Sequence, residues 1–449
     1  MQSTIQLGKL NKRTGVMPSM ENAYNLVELF SGIGSQAKAM KNLGMKIDNS
    51  YTCEWDIHAF IAYDAIHHSS DVPFDIQKMD KRELLELLKD YGLSNNGKEA
   101  MQYKTLRTYS VDALRRIYSG IKRSKNFIDI SSLTGDKIPE NIDIMTYSFP
   151  CQDLSNVGAF HGYNKGIDKD SGSRSSLLWQ VGRILKEMKD CQKTLPRFLV
   201  LENVPTLLSK RHLGNFNTWI QELKDLGYVS KHFQLNASSF GLPQNRPRLL
   251  MISVYVGDDE AKKEKINDYL QAKTSDEIVN EYRESQYYKK ISVRDLLRTN
   301  YKDTKLFAEA IECTPNDTES RRKIWKENPQ IVLPDGKLNP EIDMIRTITT
   351  KQDRNPNSGN LYFDSKIDGR SKFRYLTPRE CFLFMGFTDG DYDNVIKNNP
   401  EIHKNNKLFP RDKLIRMAGN SIPVKLLEGI FLQVKKIDEL MEKKDGCTR

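Results

Sequence analysis

The chain has 449 residues, 38% of them hydrophobic and 29% charged, enough for roughly two or three domains with sizeable cores. Lys and Arg outnumber Asp and Glu by 69 to 59, and the resulting net charge of +10 suits a polyanionic partner without requiring one. The six cysteines are scattered, with no CxxC and no Cys/His cluster, which speaks against a metal site and a disulfide scaffold and favours a reducing compartment; no apolar run approaches bilayer length, so no membrane partner is expected.

Residues 1–23 read as a loose leader; Lys9, Lys12 and Arg13 with no apolar core do not make a signal peptide. Residues 24–30 then read as a strand, running into Ser31-Gly32-Ile33-Gly34-Ser35-Gln36-Ala37 and a helix to about residue 43. Strand, glycine turn and helix fit GxGxxA, the alanine form of the nucleotide-binding fingerprint, in which the glycines let the backbone turn tightly against a ligand. The acidic residue this fingerprint needs about 20 positions later is Glu54, followed by Trp55: a carboxylate for ribose hydroxyls and a ring face for adenine. The pair implies a nucleoside cofactor and does not choose between NAD and S-adenosylmethionine.

A helix is predicted over 56–69 and two more around 82–91 and 110–121, inside a basic stretch, 78–126, that reads as a solvated insertion or a DNA-flanking surface. Residues 127–130 are predicted as a short strand carrying Asp129, which either accepts from an adenine amino group or serves a turn. Residues 142–149 are β-branched, apolar and aromatic, a buried strand stopped by Pro150. Cys151 therefore falls at a strand's carboxyl end, where open α/β sheets hold their ligands; the plain alternative is an inert buried thiol.

The long glycine-bearing segment that follows reads as a lid, ending where a helix begins near Leu177 and Leu178 and runs to about residue 189. Residues 198–201 form another buried strand, ending in Glu202-Asn203-Val204; a parallel neighbour would bring Glu202 beside Cys151. After a helix near 215–226, Gln244-Asn245-Arg246-Pro247-Arg248 precedes a strand at 249–255, and arginines at alternate extended positions point to one side, suited to a phosphate or a base oxygen. Composition turns polar after Gly257, as for a second, smaller domain over 257–400, and the remainder, 401–449, returns to the first, 24–256. Thr377-Pro378 reads as a helix cap with proline at the first position. Ala418-Gly419-Asn420-Ser421 leads into a terminal helix.

In this order the motifs resemble the cytosine-5 DNA methyltransferases: Glu28-Leu29-Phe30-Ser31-Gly32-Ile33-Gly34, Glu54-Trp55, Asp129, Pro150-Cys151-Gln152, Glu202-Asn203-Val204, Gln244-x-Arg246-x-Arg248, Arg346-Thr347-Ile348-Thr349-Thr350 with Thr377-Pro378-Arg379-Glu380, and Gly419-Asn420-Ser421. Residues 146–155 with Glu54-Trp55 look most like bacterial members that methylate CpG. The resemblance implies an α/β, Rossmann-like doubly wound mixed sheet of the class I methyltransferase kind, with 257–400 recognising the target sequence. It implies Cys151 as the nucleophile on carbon 6 of a flipped-out cytosine, Glu202 holding or protonating N3, Arg248 steadying the cytosine oxygen with Arg246 close by, and Asn203 supporting the loop. The S-adenosylmethionine pocket would comprise Phe30, Gly32, Ile33, Gly34, Glu54, Trp55, Asp129, Ile130, Pro150, Leu177, Asn420 and Ser421. The partner would be double-stranded DNA, and the protein a monomer of a bacterial or phage-infected cytoplasm, with any cognate restriction endonuclease acting separately. Two departures stand out, and neither is expected to touch the chemistry: Glu28-Leu29 replaces the usual Asp or Glu-Ala, and the insertion at 78–126 is long. Rival readings are a tRNA cytosine-5 methyltransferase of the same fold, against which the length of 257–345 argues, and a catalytically silent DNA-binding protein.

Overall fold

The computed structural model describes residues 23–68, 71–150, 177–403 and 406–442. Cys151 and the glycine-bearing segment after it lie outside the described residues, as does most of the leader. The strands that carry the site are β1 (Ala23–Leu29), β2 (Lys46–Cys53), β3 (Ile144–Tyr147), β4 (Phe198–Asn203), β5 (Tyr228–Asn236), the two-residue β6 (Gln244–Asn245) and β7 (Pro247–Tyr255). The main sheet has the order β2-β1-β3-β4-β7-β5. β2, β1, β3 and β4 are parallel, and β7 runs antiparallel to both β4 and β5. The chain leaves β1 toward β2 on one side and returns to β3 on the other, so the sheet's order reverses there. In open α/β sheets that reversal opens a crevice beyond the carboxyl ends of the strands.

Strand alternation explains why the sheet is covered twice. Leu26, Ile144, Phe198, Val200, Leu250 and Ile252 share a core with Ala37 and Met40 of the helix Ser35–Asn42 and with Leu426 and Ile430 of the terminal helix Val424–Glu442. Their neighbours Val27, Leu29, Met145, Tyr147, Leu199, Leu201, Leu249 and Met251 share a second core with Val181 and Leu185 of the helix Leu178–Asp190 and with Phe216 and Trp219 of the helix Leu213–Asp225. Both faces are apolar, so a strand such as Phe198-Leu199-Val200-Leu201 reads as a continuous hydrophobic run rather than an alternation. Each of the buried Val, Leu, Ile, Phe and Met side chains among these stabilises the fold by roughly 1.5–3 kcal/mol over its exposed state.

The terminal helix is tied to the start of the sheet. Tyr24 donates to Asp438 at 2.9 Å, and Asn42 donates to Glu428 at 2.7 Å. Beyond β7, the helices Glu260–Gln271 and Ser275–Glu284 pack on β5 and the terminal helix, placing Ile266, Leu270, Ile278 and Tyr282 in the first core. The polar composition after Gly257 thus hides two helices that belong spatially to the sheet. Further on come the helices Thr304–Glu312 and Glu319–Glu327 and a small sheet of Gln330–Val332, Asn360–Tyr362 and Phe373–Arg374. Thr377 and Glu380 form a reciprocal capping box at the helix Pro378–Phe384, with proline at its first turn.

One local expectation fails, and one strand is not anticipated. Residues 127–130 are not a strand: the Asn126 amide oxygen accepts from the backbone N–H of Glu54 at 3.0 Å and of Ile128 at 3.0 Å, and Ile128 is driven to φ +68°. Ile128 and Ile130 are buried in irregular chain instead, with Phe127 half-buried. Conversely, β5 carries no strand signal, because Ser230, Lys231, His232 and Gln234 dilute it; as an edge strand it is only partly buried.

Candidate active site

The crevice begins at the glycine turn after β1. Phe30, Gly32 and Gly34 have φ of +60°, +56° and +80°. The two glycines answer different needs. A Cβ on Gly32 would meet nothing within 4 Å, so its left-handed backbone faces open space and leaves room for a ligand. A Cβ on Gly34 would lie 2.2 Å from His67 Nε2 and 2.7 Å from the Tyr63 ring, so this glycine serves helix packing. Phe30 takes the same conformation with a side chain, a strained backbone of the kind found around binding sites.

Glu54, one residue past β2, closes the turn from the side. Its Oε2 accepts from the Gly32 N–H at 3.1 Å and its Oε1 from the Asp56 N–H at 2.9 Å. Burial, with the Asp56 carboxylate adding to it, pushes Glu54 up to about 7. Asp129 accepts from the Ser131 N–H at 2.9 Å, so one of its oxygens caps a turn while the residue lines the crevice.

The second half lies across the sheet. Tyr147 of β3 pairs with Leu201 of β4, so Glu202 and the chain after β3 emerge side by side, as a parallel neighbour requires. Asn203 Nδ2 donates to the Phe149 carbonyl at 3.1 Å, fastening the segment that leads into Pro150. Glu202 Oε1 lies 2.8 Å from Arg248 Nε. Burial raises the Glu202 carboxyl above its ordinary range, and Arg248 and Arg246 oppose that shift without cancelling it.

The two arginines do not act as the facing pair that alternation suggests. Arg246 is buried, and its guanidinium donates to the carbonyls of Ile348 at 2.7 Å, Gly419 at 2.7 Å and Ser421 at 2.8 Å. Gln244 joins the same knot, accepting from the Ile348 N–H at 3.0 Å. A Cβ on Gly419 would lie 2.6 Å from the Thr349 carbonyl carbon, so glycine lets these backbones touch. One planar fork thereby binds together three motifs that are far apart in the chain, a geometry a lysine cannot reproduce.

A single cavity of about 440 Å³ joins the halves. Glu202, Asn203, Arg246 and Arg248 line it, and so do Phe30, Gly32, Ile33, Glu54, Trp55, Asp129, Ile130, Pro150, Leu177, Asn420 and Ser421. Of the described candidates only Gly34 stands outside. Asp56, Gly97, Ile128 and Arg416 also line the cavity and carry no motif that singles them out. Among the described residues no cluster of His, Cys, Asp and Glu could hold a metal, and no helix is long and apolar enough to cross a membrane.

A family described as C-5 cytosine-specific DNA methylase matches residues 89–436. The chain is 30% identical over 409 residues to the orphan methyltransferase M.SssI of Spiroplasma monobiae, covering 90% of this chain and 95% of that one. It is 31% identical over 418 residues to the type II methyltransferase M2.ScrFI of Lactococcus lactis subsp. cremoris, covering 91% and 98%. In fold it is similar to the S. pombe Dnmt2 methyltransferase, with a TM-score of 0.54 at 16% identity over 93% of this chain and 99% of that one.

Proposed function

Because the chain belongs to the C-5 cytosine-specific DNA methylase family, we propose that the glycine-turn half of its cavity holds S-adenosylmethionine and the Glu202 half a flipped-out cytosine, the two meeting beside Cys151. The protein is a DNA (cytosine-5-)-methyltransferase. The observation that carries the assignment of halves is the continuity of one cavity from Gly32 and Glu54 to Glu202 and Arg248. Its volume falls within the usual range for small-molecule sites, roughly 300–1,000 Å³. The donor set also fits the cofactor: the space above Gly32 admits backbone contact, Glu54 offers a carboxylate to two ribose hydroxyls, and Trp55 and Phe30 supply apolar faces.

When bound, the cofactor supplies a methyl group on a positively charged sulfur. Carbon 5 of cytosine is too poor a nucleophile to take it unaided. Cys151 follows Pro150 in the chain, and its thiolate adds to carbon 6 while electron density moves onto the ring. Glu202 holds a proton at N3 and so accommodates that density, a task helped by burial that keeps its carboxyl protonated to higher pH. Arg248 fixes the Glu202 carboxyl and stands by the cytosine oxygen. Carbon 5 then takes the methyl, its proton leaves to a base, and the carbon 6–sulfur bond breaks to return the thiolate. Arg246 acts on this chemistry as a positioning residue, through the backbone it gathers. Extruding the base costs a few kcal/mol, which DNA contacts must offset. We read the protein as a monomer acting in a bacterial or phage-infected cytoplasm, with any cognate endonuclease a separate chain.

Bisulfite sequencing of plasmid DNA from cells expressing the gene tests the activity: protected cytosines in one recurring sequence are expected. Unprotected DNA, with methyl transfer to tRNA in its place, would contradict the assignment.

Glu54 gives a second expectation. Its ionised form is the better acceptor for ribose hydroxyls, and burial with the nearby Asp56 pushes its carboxyl up to about 7. Affinity for S-adenosylmethionine, measured by calorimetry, should therefore rise between about pH 6 and pH 8. Glu54→Gln should flatten that rise, and Glu54→Ala should weaken binding by about tenfold or more, the scale of a charged hydrogen-bond acceptor. By the same linkage the raised carboxyl favours the folded state below the unfolded value, and that contribution is lost as pH climbs through 7.

A further inference from the structure

Composition reads 78–126 as a solvated insertion, yet one of its turns reaches the cavity wall. Ser94 bonds directly to the chain that carries the cofactor-facing pair: its N–H donates to the Trp55 carbonyl at 2.8 Å, and its own carbonyl accepts from the Ile57 N–H at 2.9 Å. The turn is held in shape from within. Ser94 Oγ accepts from the Gly97 N–H at 3.0 Å and donates to the Glu99 carbonyl at 2.6 Å, and Asn96 Oδ1 accepts from the Lys98 N–H at 2.8 Å.

The outside of this turn is gripped by the helix Arg411–Asn420, whose last residue lines the cavity. Arg416 Nη1 donates to the Asn96 carbonyl at 2.6 Å, its Nη2 donates to Asp56 Oδ2, and Lys413 donates to the Asn95 carbonyl at 3.0 Å. Asp56 is the central post. Its Oδ1 accepts from His58 Nδ1 at 2.8 Å and from the His58 N–H at 3.1 Å, while its own N–H donates to Glu54 Oε1 at 2.9 Å. Burial alone would raise the Asp56 carboxyl, but the contacts with His58 and Arg416 outweigh it and hold Asp56 below its ordinary value, so the post is charged. Gly97, at φ +69°, fits against it; a Cβ there would stand 3.3 Å from Asp56 Oδ2.

We infer that the turn at 94–97, clasped between Asp56 and Arg416, is a working part of the cofactor site that positions Glu54 and Trp55 and so sets affinity for S-adenosylmethionine. The inference rests on the assignment of this half of the cavity to that cofactor. Arg416 and Ser94 are positioning residues: Arg416 acts through Asp56, whose N–H holds Glu54, and the Ser94 hydroxyl acts through the turn it keeps folded, whose backbone N–H holds the Trp55 carbonyl. Their loss should therefore change cofactor binding and leave the methyl-transfer step and the grip on DNA alone.

The test is calorimetric titration of the full-length protein with S-adenosylmethionine and, separately, with a duplex oligonucleotide containing the methylated site, together with steady-state kinetics. Arg416→Ala should weaken cofactor binding about tenfold, the scale of one lost charge-assisted hydrogen bond, with kcat at saturating cofactor and duplex affinity changed by less than about twofold. Arg416→Lys should recover part of the loss. Ser94→Ala, a smaller change that keeps the testing possible if Arg416→Ala misfolds, should weaken the cofactor about threefold with the same split, the scale of one neutral hydrogen bond. Cofactor affinity unchanged in folded Ser94→Ala and Arg416→Ala would overturn the inference, as would losses confined to kcat or to duplex binding. A wild-type protein that binds the duplex and no S-adenosylmethionine would remove the cavity assignment and the clasp with it.

Discussion

A Cys151→Ser variant is expected to bind S-adenosylmethionine and duplex DNA as the wild type does and to transfer no measurable methyl group. Addition to carbon 6 requires an anionic sulfur, and a thiol supplies a useful fraction of thiolate near neutral pH once its surroundings favour it. A serine hydroxyl, with a pKa far above neutrality, supplies essentially none. A loss of at least about 10⁴ in kcat follows, comparable with removal of a nucleophile in other covalent enzymes. The oxygen occupies less space than the sulfur, so cofactor contacts at Gly32, Glu54 and Trp55 should persist. Transfer of a radiolabelled methyl group, set beside calorimetric cofactor affinity, separates the two effects. Wild-type turnover in this variant would remove the covalent mechanism.

Glu202→Gln is the second large effect, expected to lower kcat by about 10²–10⁴, the range for a lost general acid. The amide keeps the shape of the carboxyl and cannot give up a proton to N3. Its amide oxygen can still accept from Arg248 Nε, which lies 2.8 Å from Glu202 Oε1, so what is lost is the proton and not this contact. The sign of the pH effect follows from the raised carboxyl: burial keeps Glu202 protonated to higher pH than an exposed glutamate, and activity that needs the proton falls as the group ionises. The alkaline limb of the wild-type profile should be absent from the residual activity of the glutamine variant. Cofactor affinity should be nearly unchanged, because Glu202 stands on β4 while Glu54 follows β2, with β1 and β3 between those strands. A Glu202→Gln enzyme with full kcat would assign the proton at N3 to another group.

Much of this site was legible because its chemistry sits at strand ends, where a residue's number in the chain fixes its place in space. Glu202 follows a buried run, Glu54 follows β2, and parallel pairing delivers each to the same edge of the sheet. What escaped reading depends on partners far along the chain. Arg246 and Arg248 look equivalent in an extended segment, and only the fold brings the carbonyls of Ile348, Gly419 and Ser421 to the first of them. Gly34 looks like a ligand-facing glycine, yet the space behind it is filled by His67 and Tyr63. Ile128 belongs to a β-branched, apolar run that propensity assigns to a strand, while the Asn126 side chain bends it into a turn. Arg416 and Gly97 sit in unremarkable sequence and meet across a long separation. β5 lacked the apolar pattern because Ser230, Lys231, His232 and Gln234 sit on an edge strand that is only partly buried.

Cys151 is expected to form a transient bond to the cytosine that the enzyme methylates. DNA carrying 5-fluorocytosine at the target position tests it directly, because fluorine at carbon 5 cannot leave as a proton does and the adduct cannot resolve. Incubated with this DNA and S-adenosylmethionine, active enzyme should yield a denaturant-resistant protein–DNA complex whose cross-linked peptide contains Cys151. An active enzyme that gives no such complex, or one joined through another residue, would contradict the account.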